Sequence, residues 1–282
     1  MKKALCLILI LSLLLLSITS CSDKIERKYA KELNKAIDAE NFDEVNRIIS
    51  ECPEAVNTYP TLAPMWWQGE ILMTTIYYPL SEACKTGNLE MVKLLVENGA
   101  DVNSLTPGWE VVTPLHTTLL YCEGDWYDIV MYLIENGASI DYIDEAYLGK
   151  NAMLMDIIMA SSRISEEETG SLNNLFVYAV ENCDKTNVDW QRVLCWAAGY
   201  NNCYDIVKIL IEEGYSDVNQ PYSSANMTPL MFAIRSSDAR MVKYLLQKGA
   251  DVRATDEDGK RVLDYAAECE DEEIKSLFDN LI

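Results

Sequence analysis

Four stretches of this chain repeat one pattern, and that pattern limits what each can fold into. LEMVKLLVENGADVN (89–103), YDIVMYLIENGASID (127–141), YDIVKILIEEGYSDVN (204–219) and ARMVKYLLQKGADVR (239–253) each open with apolar residues three and four apart. Each reaches a glycine: Gly99, Gly137, Gly214 and Gly249. The spacing predicts an amphipathic helix with one apolar stripe. The glycine predicts the helix end, because it enters the left-handed conformation without a Cβ penalty. Helices this short are unstable alone and must bury the stripe on a neighbour. Recurrence along the chain therefore predicts a stacked, quasi-one-dimensional array.

A second, shorter helix precedes each of these. The clearest starts are Thr113-Pro114-Leu115-His116 and Thr228-Pro229-Leu230-Met231. Thr suits the cap, and Pro suits the first helical position, where its missing N–H would be unpaired anyway. Small residues follow, such as Ala83-Cys84, Ala197-Ala198, Ala233 and Ala266-Ala267. The combination of a T-P-L-H start, a turn into the second helix and a G-A-D-V-N exit resembles the ankyrin repeat. ACKTGNLEMVKLLVENGADVN (83–103) carries that resemblance nearly throughout. It implies an all-α ankyrin-repeat solenoid of helix-turn-helix units with short β-turn or hairpin fingers.

Seven units are expected, at 31–57, 79–103, 113–141, 150–188, 191–219, 228–253 and 259–282. Met91, Ile129, Ile206, Met241 and Ile274 are equivalent, at spacings of 38, 77, 35 and 33. The spacing of 77 holds a degenerate fourth copy, in which Cys183 takes the glycine slot. In the first copy Cys52-Pro53 stands there. The charged first and last units suit caps.

The head of the chain reads differently. Lys2 and Lys3 precede a thirteen-residue apolar run, Ala4 to Leu16, broken only by Ser12. The run is short for a membrane span, which takes about 20 apolar residues, and fits the apolar region of a signal peptide. Ile18-Thr19-Ser20-Cys21 follows and resembles the lipobox of bacterial lipoproteins. That resemblance implies a cut between Ser20 and Cys21 and lipidation of Cys21. Residues 1–20 are then the signal peptide, 21–30 the lipidated N-terminus and tether, and 31–282 the repeat domain. An exported protein anchored to a bacterial membrane is expected. Ser22 in place of Asp favours the outer membrane or cell surface, as implied by the same resemblance.

Charge narrows the partners. The chain carries 45 acidic and 23 basic residues, a net −22. Removal of the leader takes two lysines and no acids, leaving −24 over 262 residues. Such a surface repels nucleic acid and anionic headgroups, so membrane contact is expected through the lipid alone.

No catalytic set stands out. His116 is the only histidine, and the resemblance makes it a structural residue of a first helix. Seven cysteines remain after Cys6 and Cys21: Cys52, Cys84, Cys122, Cys183, Cys195, Cys203 and Cys269. None forms a C-x-x-C, so zinc ribbons and dithiol redox motifs are unsupported. A mostly unpaired set is expected, with Cys183–Cys203 open as a bridge. Asp256-Glu257-Asp258-Gly259 lacks the downstream ligands of a calcium loop and reads as a β-turn. No enzyme, metal or cofactor is expected.

The aromatic residues point to binding. Sixteen tyrosines and six tryptophans stand against four phenylalanines, and many fall in the connections between repeats. Tyr59, Trp66, Trp67 and Tyr78 lie in or beside the first long connection, Trp109 in the next, and Tyr142, Tyr147 and Tyr222 in later ones. Tyr and Trp supply large amphipathic contacts at interfaces. Nearby Glu70, Glu110, Asp141, Asp144 and Glu145 suit a partner with basic groups. The expected function is non-catalytic protein binding, as a monomeric scaffold or an inhibitor that neutralises a basic partner. The alternative is an envelope binder of a small molecule or glycan, with Trp66, Trp67 and Trp109 lining an aromatic groove.

Overall fold

Short helices with one apolar face pair off along the chain, as the periodicity demands. The computed structural model describes residues 23–60, 66–67, 70–71, 78–106, 113–141, 143–144, 149–150, 152–223 and 225–279. It divides into two compact units, 1–139 and 140–282.

The first unit holds three helix pairs among its described residues: α1 (23–38) with α2 (Phe42–Glu51), α3 (Pro79–Thr86) with α4 (Leu89–Glu97), and α5 (Pro114–Tyr121) with α6 (Trp126–Glu135). α3 packs on α5, and α4 on α6. Leu33, Ile37 and Ile48 fill the first pair, Leu80, Met91 and Leu95 the second, and Leu115, Ile129 and Leu133 the third, all essentially removed from water. Residues 23–30, expected as a polar tether, are instead part of α1. Ala30 there is buried, so the apolar stripe of the first helix starts earlier than the repeat pattern suggested.

The second unit holds four pairs: α7 (Ala152–Ala160) with α8 (Thr169–Asn182), α9 (Trp190–Ala198) with α10 (Tyr204–Glu212), α11 (Pro229–Arg235) with α12 (Ala239–Gln247), and α13 (Val262–Glu268) with α14 (Glu272–Phe278). The first helices α7, α9, α11 and α13 pack in sequence. In the degenerate copy Leu175, Phe176 and Ala179 are buried as Met91, Val92 and Leu95 are in the well-formed one. Its extra residues sit in the turn between α7 and α8, which contains a one-turn 3-10 helix at Glu166–Glu168. No helix of the described residues is long and apolar enough to cross a membrane.

Local chemistry explains the ends. Asn41, Asn88, Thr113, Asp189, Asp238 and Asp271 accept backbone N–H bonds at the starts of their helices. Gly99, Gly137, Gly214 and Gly249 all have φ between 74° and 90°. Cys52 (φ −147°) and Cys183 (φ −81°), which stand in the glycine slots of the first and fourth copies, do not take that conformation, and their helices end in extended or irregular backbone.

An asparagine at the exit of three of the repeats joins each to the next. Asn57 Nδ2 donates to the Gly99 carbonyl at 2.7 Å and its Oδ1 accepts from Asp101 N–H at 2.8 Å. Asn103 does the same to Gly137 and Ser139 at 2.9 and 2.8 Å. In the second unit Asn219 does so to Gly249 and Asp251 at 3.1 and 2.7 Å. The donated bond of each pair satisfies a glycine carbonyl just past a helix C-terminus, and the accepted bond satisfies the N–H two residues on. Asp141 holds the equivalent place and only accepts, from Asp184 N–H at 3.3 Å.

Candidate functional site

The connections between repeats close into hairpins at intervals. β1 (Trp66–Trp67) pairs antiparallel with β2 (Glu70–Ile71), in the register Trp66 to Ile71 and Trp67 to Glu70. β3 (Ile143–Asp144) pairs in the same way with β4 (Gly149–Lys150). Single bridges close two more, Tyr222 with Met227 and Thr255 with Arg261. The last two are joined to each other: Asn226 Nδ2 donates to the Thr255 carbonyl at 2.8 Å, and Glu257 N–H to the Ala225 carbonyl at 3.0 Å.

The aromatic residues singled out from the sequence divide among these fingers. Tyr59 and Tyr78 are both half-buried at the base of the first, with ring centroids 5.4 Å apart at a 56° tilt. Burial pushes the Tyr59 phenol above its ordinary value. Trp66 and Trp67 form β1. Tyr222 is half-buried and hydrogen-bonds through its backbone to Met227. Trp109, Tyr142 and Tyr147 lie outside the described residues, as do Ser20 and Cys21.

A second set of aromatics was not singled out. Trp196 and Tyr200 stack nearly parallel, 6.1 Å apart at 9°, and the Arg192 guanidinium lies 5.6 Å from the Trp196 ring. Trp190 meets Tyr215 at 4.5 Å beside a concavity of 420 Å³. Tyr204 meets Tyr244 edge-on at 5.4 Å and carries the Arg240 guanidinium 3.6 Å above its face. The signal that could have found the first group was in the sequence: residues 192, 196 and 200 are four apart, the first two on one face of α9 and Tyr200 just past its end.

Two further concavities meet at that last stack. The larger, 690 Å³, runs along the turns between first and second helices of the second unit and is lined by Glu166, Asn202, Tyr204, Asp205, Asp238 and Arg240 among others. The smaller, 320 Å³, shares Tyr204 and Arg240 and extends to Lys243, Tyr244 and Glu273. The wall is well held. Asn202 donates to the carbonyls of Ser161 and Ile164 at 3.1 and 3.2 Å. Asp205 accepts from Asn173 at 3.2 Å, and Asp238 caps α12 through Met241 N–H at 2.9 Å.

His116, the cysteines and Asp256 have structural places. His116 is buried on α5, its backbone N–H capped by Thr113 at 3.1 Å. All seven described cysteines are free, so the Cys183–Cys203 bridge is not formed. Burial pushes the thiols of Cys84, Cys195 and Cys203 up to about 12, which keeps them protonated and poor nucleophiles at neutral pH. Asp256 closes its turn by accepting from Asp258 and Lys260 N–H at 3.0 and 2.8 Å. The Tyr265 hydroxyl donates to it at 2.6 Å, and this bond chiefly holds its carboxyl below the ordinary range. Among the described residues no three His, Cys, Asp or Glu side chains gather into a group able to hold a metal ion.

Known proteins show the same repeat. A family model described as ankyrin repeats in three copies matches residues 33–144, 80–162, 166–256 and 194–280. Over 208 residues, 71% of the chain, it is 27% identical to alpha-latrocrustotoxin-Lt1a of Latrodectus tredecimguttatus, covering 14% of that protein. Over 60 residues, 21% of the chain, it is 42% identical to phosphocholine transferase AnkX of Legionella pneumophila, covering 6% of it. The chain therefore spans a small part of these relatives. The crystal structure of the human ASB11 ankyrin repeat domain superposes with a TM-score of 0.55 at 22% identity, covering 87% of this chain and 96% of that one, a likeness of fold.

Proposed function

The chain belongs to the ankyrin repeat family, and from that premise we propose that it is a non-catalytic binding module for a basic partner protein, held by a lipid on Cys21 at the outer face of a bacterial envelope. Repeats of this family suggest protein–protein interaction; the envelope and the basic partner are this reading's own. The observation that carries it is the β1–β2 pairing, which puts Trp66 and Trp67 on one strand of the connection between the first two helix pairs. A net charge of −22 supports a cationic partner, and the apolar run before Cys21 supports export. Fold alone does not name the partner.

The test is co-purification from detergent-solubilised membranes. One stoichiometric protein is expected, lost on Trp66→Ala or Trp109→Ala. Recovery of no protein, with binding on a glycan array instead, would overturn the reading in favour of a sugar-binding groove. Palmitate labelling that survives Cys21→Ser would remove the lipid anchor from it.

A further inference from the structure

We propose that the 690 Å³ groove along the inter-helix turns of the second unit seats an arginine- or lysine-bearing segment of the partner, a second contact surface that rests on the protein-binding reading and is separate from the fingers. Glu166, Asp205 and Asp238 line it: Glu166 from the α7–α8 turn, Asp205 from the first turn of α10 and Asp238 from the α11–α12 turn. Short turns fold each second helix back along its first. The turns therefore lie at the opposite helix ends from the hairpins, and one partner segment at the groove leaves the fingers open.

Several carboxylates of the outer helices are neutralised by a basic neighbour. Glu44, Glu90, Glu212, Glu272 and Glu273 are each paired with a lysine or arginine. Among the described residues Glu166, Asp205 and Asp238 have no ion-pair partner. The one cation in the groove wall, Arg240, lies on the Tyr204 ring at 3.6 Å, so its charge is shared with an aromatic face. A groove of this size accommodates several long side chains, within the roughly 300–1,000 Å³ usual for ligand sites. Asp205 and Asp238 are already positioned by the bonds to Asn173 and Met241 N–H. Little side-chain freedom is then lost on binding. Charge complementarity selects the occupant: uncompensated carboxylates recognise guanidinium and ammonium groups through charge-assisted hydrogen bonds.

The experiment uses the purified full chain and a fluorescein-labelled nonapeptide of alternating arginine and glycine, followed by anisotropy at physiological ionic strength. Glu166→Gln/Asp205→Asn/Asp238→Asn removes charge while Asn at 238 keeps the helix cap. A control triple, Asp43→Asn/Glu97→Gln/Glu135→Gln, makes the same charge change on exposed acids of the first unit. The groove triple should weaken binding about tenfold or more and the control less than about twofold, since diffuse surface charge is screened. Arg240→Gln should tighten it by removing the competing cation. Equal weakening by both triples, or no binding by the unaltered chain, overturns the proposal. A stoichiometric partner that depends on Trp66 while the groove triple behaves like the control sinks the groove and leaves the finger reading. Peptide discrimination with no protein partner recovered does the reverse.

Discussion

Substitution of Gly87 by alanine tests how closely two repeats of the first unit approach. Gly87 sits at the turn between α3 and α4 with φ at 76°. A Cβ built there would lie 2.3 Å from the Gly124 nitrogen, on the turn of the next repeat. Two backbone bonds cross the same gap, Glu123 N–H to the Lys85 carbonyl at 3.1 Å and Asp125 N–H to the Gly87 carbonyl at 3.2 Å. Gly99 and Gly137 have φ of 86° and 90° but open space where a Cβ would go. Left-handed backbone alone costs a non-glycine residue about 1–2 kcal/mol, so Gly99→Ala and Gly137→Ala should lose about that much. Gly87→Ala adds the forced separation of two backbones, about 1–3 kcal/mol. Loss of the two crossing bonds adds about 1 kcal/mol each. The expected excess over Gly99→Ala is about 3–5 kcal/mol, a factor of about 100 or more in the folding equilibrium constant. Urea unfolding of the three variants, with hydrogen exchange of the Asp125 amide to localise the loss, measures it. An excess within about 0.5 kcal/mol of zero, with Asp125 still protected, would refute the close approach.

Three further outcomes are expected. Asn219→Ala removes both bonds to the next repeat and should destabilise by about 1–2 kcal/mol, while Asn219→Asp, which keeps the acceptor, should lose about half as much; hydrogen exchange at Asp251 checks this, and equal protection in both variants would count against the bridging role. The Arg261 guanidinium beside Asp264 holds its carboxyl down to about 2 from an ordinary 3.8. Its stabilising effect is whole above pH 3.8 and fades as the pH falls to about 2. The difference in urea midpoint between the native chain and Asp264→Asn should therefore close across that window, and a difference independent of pH would exclude the ion pair as its source. Alkylation followed by mass spectrometry should label the half-buried Cys183 and Cys269 first, with Cys84, Cys195 and Cys203 at least about a hundredfold slower; uniform labelling in the folded chain would contradict their burial.

The repeats were readable because their signals are local. A helical apolar stripe, a Thr-Pro start and a closing glycine each lie within about one turn of what they specify, so α4, α6, α10 and α12 fall where the periodicity places them. The start of α1 was not readable: DKIER (23–27) is mostly polar in sequence, and its helical state follows from burial of Ala30 and Leu33 further along the same stripe. The backbone at the ends of α2 and α8 was not legible for a different reason. Cys52 and Cys183 occupy the glycine slots by alignment but lack glycine's backbone freedom, so the chain leaves those helices in another conformation. The groove was beyond reach. Residues 166, 205 and 238 belong to no shared motif, and only stacking brings successive turns side by side. The Tyr204–Tyr244 contact likewise joins residues whose spacing along the chain is a repeat length, which no helical or strand period reports.

The asparagine bridges also bear on how such a chain can change over time. Asn57, Asn103 and Asn219 make the same pair of bonds although 42, 34 and 30 residues separate them from the glycine they reach. The join sees only the two ends of each connection. Residues can be inserted or deleted between them, as around Trp66 and Trp67, without disturbing the register of the stack. The hairpins are thus free to diverge in length and composition while the scaffold is conserved, and a new partner can be acquired by rewriting a finger alone.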